Sequence, residues 1–231
     1  MYEVRHIINS IVDKDSFFEI NPGYGKSLVV GLARLDGYAI GIMANDTCYD
    51  GGAVTATASE KMMRFVDLCD TFHLPMVNLV DNPGFLIGVR AEEEGTVRLG
   101  SRALMAVYQS TIPWVSFIIR RCYGVAGGSR QRWTEPRYAW PSADWGSLPI
   151  EGGVQAAYRR DIEAAANPNE RRRELEGMLE QFRSPLRTAE AFGIEEVVDP
   201  RETRPILCDW VKLAYEIIPT QLGPKSRTPR P

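Results

Sequence analysis

The sequence predicts an α/β domain, and three observations carry that expectation. Short apolar, β-branched runs alternate with segments of helical spacing, glycine-rich turns stand where the runs end, and no internal repeat interrupts the alternation. The strand expectations, in order, are Leu28–Leu35, Tyr38–Ala44, Met76–Val80, Trp114–Ile119 and Tyr138–Trp140. Asp36 and Gly37 form a tight-turn pair that makes the first two a hairpin. Between strands, Thr57–Phe72 repeats apolar residues (Met62, Phe65, Val66, Cys69, Phe72) at helical spacing, with Ser59 as the expected cap. His6 falls in an amphipathic helix near the start of the chain. Glu92–Ser110 reads as a further helix, its Glu92–Glu94 run forming an acidic first turn that suits the helix dipole, and Ile112-Pro113 stops it. Residues 155–182 form a long polar helical region broken near Asn167-Pro168, whose balanced arginines and glutamates make a solvated face. Arg204–Ile218 is the last helix.

Charge and composition exclude several classes of function. With 27 basic and 30 acidic side chains the net charge is −3, which argues against a nucleic-acid partner. A 44% hydrophobic, 25% charged composition is that of a globular domain. The apolar runs fall far short of the roughly 20 residues needed to cross a bilayer, and the first residues lack an apolar signal core, so the expectation is no membrane partner and a cytoplasmic location. Four scattered cysteines and two histidines provide neither a disulfide framework nor a metal site. Residues 221–231, with three prolines and three basic residues, read as a flexible tail behind a domain spanning 1–220.

Chemistry concentrates at three strand ends that open into glycine-rich turns: Asn45 to Gly52, Asp81 to Phe85, and Tyr123 to Gly128. Where a strand hands over to a helix, unpaired backbone N–H groups and the helix dipole can hold an oxyanion without side chains. Side-chain chemistry is scarcer. His6 and His73 sit in structural contexts, Cys122 has no neighbouring base and reads as a buried thiol, and Gly127-Gly128-Ser129 lacks the lysine of a phosphate-binding loop.

Several motifs in order and spacing carry a family resemblance. Phe17–Ile20, Val29–Arg34, Gly41–Asn45, Ser59–Phe65, Leu79–Phe85, Arg121–Gly124 and Tyr138–Pro141 resemble the carboxyltransferase β subunits of biotin-dependent acyl-CoA carboxylases, of the propionyl-CoA and methylcrotonyl-CoA type. The likeness runs from about Tyr2 to Pro219 and corresponds to the C-terminal half of such a subunit. It implies a crotonase-like (ClpP/crotonase) superhelix of ββα units. It also implies a reaction in which carboxybiotin, on a carrier protein, gives CO2 to the α-carbon of an acyl-CoA through an enolate, with backbone amides as oxyanion holes. Carried over by position, the amides of Val125 and Ala126 after Gly124 would form the biotin-side hole. Asn82, Pro83, Gly84 and Phe85 would line the approach, with Tyr123, Gly127 and Gly128 beside them, and no metal or general base would be needed. The implied partners are an N-terminal carboxyltransferase half, a biotin carboxylase and a biotin carrier, in a homo- or hetero-oligomer whose active sites join two halves. The alternatives are a non-catalytic CoA-ester-binding or assembly module on the same scaffold, and a biotin-dependent acyl-CoA decarboxylase. The chain departs from the family in its Gly124–Gly128 run, which implies a wider or more mobile pocket, in Ile87 of the Phe85–Gly88 stretch, and in Ser147–Pro149, where Pro149 has no N–H to donate.

Overall fold

A computed structural model describes residues 2–128, 135–146, 150–180 and 183–225. One twisted sheet organises the chain. Its strands are β1 (Phe18–Glu19), β2 (Leu28–Leu35), β3 (Tyr38–Asn45), β4 (Met76–Asn82), β5 (Trp114–Tyr123), β6 (Arg137–Ala139), β7 (Asp144–Gly146) and β8 (Glu196–Val197). The order is β1-β2-β3-β4-β5-β6-β8, with β7 on the far half of β5. The first three strands are antiparallel, Asp36 and Gly37 turning the β2–β3 hairpin with Leu35 opposite Tyr38. From β3 onward every pairing is parallel, β3 with β4, β4 with β5, and β5 with both β6 and β7. Each of the central parallel strands therefore ends at the same edge of the sheet.

Parallel strands need helical crossovers, and the sequence supplies them. Helix α1 (Val4–Ile11) and helix α10 (Thr203–Ile217) cover one face, burying Ile8, Leu207 and Val211 against Val77, Leu79, Val115 and Phe117. Helices α2 (Ala56–Thr71) and α4 (Thr96–Gln109) cover the other, where Met62, Phe65, Val66, Ala103 and Val107 meet Met43, Met76 and Trp114. Every residue of β4 is buried, the pattern of a strand covered on both faces.

Three expectations are corrected. The cap of α2 is Thr55, whose Oγ1 accepts the N–H of Ala58, while Ser59 sits inside the helix and donates to the Thr55 carbonyl. The expected helix Glu92–Ser110 is two helices, α3 (Val89–Glu93) and α4, because Gly95 adopts a left-handed conformation between them. The glutamates thus close α3 instead of opening a long helix, and Glu94 accepts from Arg90. The polar region divides into α6 (Ile150–Ala157), α7 (Arg159–Ala164) and α8 (Pro168–Glu180), which share a small core of Ile150, Val154, Ile162 and Leu175. Helix α9 (Pro185–Glu190) leads back to the sheet. Strands β1, β7 and β8 are two or three residues long, too short to register as runs in the sequence. Of the expected tail, Gln221 ends a closing 3-10 turn and the Lys225 ammonium donates to Thr111 Oγ1 at 2.6 Å beside the buried Asp70 carboxylate. The rest of that tail lies outside the described residues, as does Pro149.

Steric fit is tightest where α4 passes over the second glycine turn. A Cβ on Gly100 would stand 2.3 Å from Phe85 Cε1, so the ring of Phe85 occupies the space a side chain would take. Gly100→Ala is expected to cost ~1–3 kcal/mol by overpacking. Gly152→Ala, in α6 with nothing within 4 Å of its Cβ, is expected to gain up to about 1 kcal/mol from helix propensity. Urea denaturation of the two variants checks the contrast.

Candidate active site

The carboxyl ends of β3, β4 and β5 bring the three glycine-rich turns together, the position where open parallel sheets offer ligand crevices. Asn82 at the end of β4 stands in register with Cys122 of β5, which places the Pro83–Phe85 turn beside Tyr123 and Gly124. The first turn joins them through the Arg121 side chain and is braced internally by that of Asn45. Arg121 Nη2 donates to the Gly51 carbonyl at 2.6 Å, and Asn45 Nδ2 donates to the Gly52 carbonyl at 2.9 Å. Gly52 has a φ of +84°, and a Cβ there would lie 2.6 Å from the Asp81 carbonyl oxygen, so only glycine lets the turn pack against β4.

At the centre lies Asp81, with a side chain 1% exposed. Its Oδ1 accepts from Arg121 Nε at 2.8 Å and from the Arg121 backbone N–H at 3.3 Å; its Oδ2 accepts from Arg120 Nε at 3.0 Å and from the Tyr2 hydroxyl at 2.9 Å. One carboxylate is held by two guanidiniums, so the local charge under the turns is positive. Burial, then the Asp81 charge, raises the Tyr2 phenol far above its usual range, so it stays a donor. A second cluster stands at the start of β2 and end of β3, where Arg5 spans Glu19 and the buried Asp46 at 2.7 and 2.6 Å. Beside it Lys61, nearly buried, donates to the Leu28 carbonyl, and burial lowers its pKa.

The expected site residues take distinct places. Asn82 is fully buried and its Oδ1 accepts the Gly84 N–H at 2.9 Å, fixing the turn and leaving Nδ2 without a partner. Gly84, at a φ of +121°, passes the chain to Phe85, which bridges to Val54 and packs into the α2–α4 core instead of facing outward. After Tyr123 the third turn is a short helix, α5 (Gly124–Gly128), entered through Gly124 at a φ of +58°. Val125 is exposed, Ala126 is buried in the α2–α4 core, and Gly127 packs on Cys122, whose carbonyl carbon would meet a Cβ at 2.7 Å. The first three N–H groups of a helix have no intrahelical acceptor, and in α5 these are the N–H groups of Gly124, Val125 and Ala126. His6 is exposed on α1, and His73 sits at the end of α2, away from these turns. Among the described residues no group of three or more His, Cys, Asp or Glu side chains could hold a metal ion, and no helix is long and apolar enough to cross a membrane. A cavity of about 420 Å³ lined by Trp114, Trp210 and Ile217 opens at the amino ends of the strands, on the opposite side of the sheet from this chemistry.

Asp81 and Arg121 stand in the sequence motifs without an assigned role, and Arg120, Tyr2, Asp144 and Arg183 lie outside the expected site residues. The pair Arg120-Arg121 inside an otherwise apolar strand was the available signal, since cations at such a position need a carboxylate nearby. Asp144 in β7 accepts the Tyr123 hydroxyl at 2.5 Å and pairs with Arg183. Burial first, then that hydrogen bond, pushes the Tyr123 phenol up to about 12.

Two outcomes follow. Asp81→Ala is expected to destabilise by ~3 kcal/mol, at the low end for breaking a buried ion pair because the guanidiniums stay partly in water. Equilibrium denaturation measures it. The Tyr123 phenol titrates near 10 when unfolded and near 12 when folded, so its contribution is complete below pH 10 and is lost as pH rises toward 12. Stability measured from pH 9 to 12 should fall less steeply in Tyr123→Phe than in the parent chain.

Residues 1–222 match the family model described as the carboxyl transferase domain. The chain is 37% identical over 207 residues to the carboxyltransferase subunit of propionyl-CoA carboxylase from Haloferax mediterranei, covering 88% of this chain and 40% of that relative. It is equally similar, with the same coverage, to the methylmalonyl-CoA carboxyltransferase 12S subunit of Propionibacterium freudenreichii subsp. shermanii. A solved structure of transcarboxylase 12S, described as a hexamer with methylmalonyl-coenzyme A and methylmalonic acid bound, superposes with a TM-score of 0.86 at 32% identity, over 100% of this chain and 44% of that one. The chain thus spans less than half the length of these relatives, and its fold is crotonase-like, as the sequence resemblance implies. With the motifs, the sheet and the turn geometry in agreement, the chain belongs to the carboxyl transferase domain family.

Proposed function

We propose that this chain is the biotin-receiving half of a biotin-dependent acyl-CoA carboxyltransferase. The observation that carries the reading is the convergence of three glycine-rich turns at one sheet edge, with free N–H groups at the head of α5. Biotin's ureido ring is neutral and presents one carbonyl oxygen, and two neighbouring backbone donors with an apolar surface beside them suit it. The amides of Val125 and Ala126 are those donors and the exposed Val125 side chain is that surface. When bound, biotin supplies CO2 from a carboxylated ureido nitrogen and can take up the proton that the acyl-CoA gives.

What the chain's own residues do is hold charge. As the ureido oxygen gains negative character, the amides of Val125 and Ala126 stabilise it, and one missing donor of this kind costs about 2.7–4 kcal/mol in the barrier. The positive balance of Arg120 and Arg121 over Asp81 adds to that field from beneath. Tyr2, Arg120, Arg121 and Asp81 keep the donors aimed, while the Asn82–Gly84 turn limits the approach of water.

The acyl-CoA side belongs to an N-terminal half, a biotin carrier and a biotin carboxylase complete the reaction, and the halves assemble as an oligomer. Supporting this, Ile87 and Val89 ahead of α4, Val97 in its first turn and Val125 of α5 leave exposed apolar surface toward the carboxyl edge of the sheet. A cytosolic setting fits the four cysteines, all thiols.

The test is reconstitution. Mixed with the N-terminal half and free biotin, the chain is expected to decarboxylate methylmalonyl-CoA, followed as CO2 release. Val125→Pro, which deletes one donor at a helix start that tolerates proline, should lower kcat roughly 10²–10³-fold without preventing assembly. No biotin-dependent turnover by a correctly assembled pair contradicts the proposal.

A further inference from the structure

The hydroxyl of Tyr123 is saturated from within the chain. It donates to Asp144 Oδ2 at 2.5 Å and accepts from Arg183 Nη2, while Arg183 Nε donates to Asp144 Oδ1 at 2.5 Å and its Nη2 also reaches Oδ2. The guanidinium carbon lies 5.6 Å from the centre of the tyrosine ring. A phenol whose proton is given to a carboxylate and whose oxygen already accepts from a guanidinium has no proton to offer a substrate. Its hydroxyl therefore serves as an anchor, not as an acid or base.

What it anchors is the backbone that follows. Tyr123 is buried, it is the last residue of β5, and Gly124 turns directly into the α5 amides. Asp144 is held against the same stretch through the pairing of β7 with β5, where Arg121 faces Asp144 and Tyr123 faces Gly146. Arg183 comes from elsewhere. It follows α8, its N–H bonded to the Glu180 carbonyl, and precedes Ser184, which caps α9. The small core of α6, α7 and α8 is separate from the clusters that cover the sheet, and Arg183, just past α8, reaches the site strand through Tyr123 and Asp144.

We propose that Arg183 is a positioning residue that couples the α6–α8 excursion to the Gly124–Gly128 turn through the Tyr123 hydroxyl. The assignment of a catalytic consequence rests on the function proposed above; the coupling itself does not. Arg183 acts by orienting Tyr123 and never touches substrate. A planar fork engaging a carboxylate and a phenol together sets an angle as well as a distance, which a lysine cannot reproduce.

Two measurements test it. In the chain alone, Arg183→Ala should speed amide hydrogen exchange at Gly127 and Gly128, whose N–H groups are the ones bonded within α5, by about ten-fold or more, with the Met76–Val80 strand unchanged. Tyr123→Phe should do the same, and the double variant should add little, because both changes cut one linkage. Unchanged exchange in that turn, or fully additive effects, overturns the coupling. In the assembled enzyme, Arg183→Ala should lower kcat and raise the KM for free biotin while the KM for acyl-CoA stays fixed, with Arg183→Lys recovering only part. A loss of kcat with both KM values unchanged would signal a smaller folded fraction and contradict the positioning role. An inactive parent enzyme would overturn the proposed reaction, while the exchange result would still decide the coupling.

Discussion

Everything at the carboxyl edge of the sheet depends on a single buried carboxylate. Asp81 sits where β4 ends, with both oxygens committed to Arg120, Arg121 and Tyr2. Taking such a charge out of water is costly unless its partners are well placed, and here the partners lie on the neighbouring strand and on the first residues of the chain. The need to satisfy Asp81 therefore fixes the relation of β5 to β4 past Val80, where their register shifts. It also brings Arg121 within reach of the Gly51 carbonyl and so draws in the first turn. The proposed site of backbone amides has no side chains of its own to hold it in shape, and this ion cluster takes over that task.

The same logic explains why the chain offers no triad. Groups that titrate near neutrality are absent from the crevice among the described residues, and the phenol closest to it is locked to Asp144 and Arg183. Preorganised dipoles do not reorganise as charge develops, which is what makes them effective in stabilising an oxyanion. The helices that back the turns supply rigidity: α4 closes over Phe85 at Gly100, and Ala126 is buried against the α2–α4 core. One half of a carboxyltransferase can thus be well folded and still lack the surface that completes its reaction.

Much of this was legible in the sequence. The central strands, the hairpin at Asp36-Gly37 and the helices over 57–72 and 204–218 follow from apolar periodicity, because these elements are long and buried on one or both faces. The meeting of the three glycine turns was legible as well, since a parallel sheet places consecutive strand ends side by side. Less accessible were features that depend on tertiary pairing. Strands β4 and β5 run on through Asn82 and Tyr123 because Asp81 pairs with both arginines across them, which no local pattern reveals. Thr55 took the cap from Ser59 because the turn at Val54 pairs with Phe85, starting the helix earlier. Arg183 looked like one more cation in a charged helical run, and only its contact with Asp144 sets it apart.

The central claim is that backbone donors held by this cluster receive the ureido oxygen of biotin. A crystal structure of the chain assembled with its N-terminal half and soaked with biotin tests it most directly. That oxygen is expected about 2.7–3.1 Å from the amide nitrogens of Val125 and Ala126, over the Asn82–Phe85 turn. Biotin bound elsewhere, or seated there with both amides turned away, would contradict it.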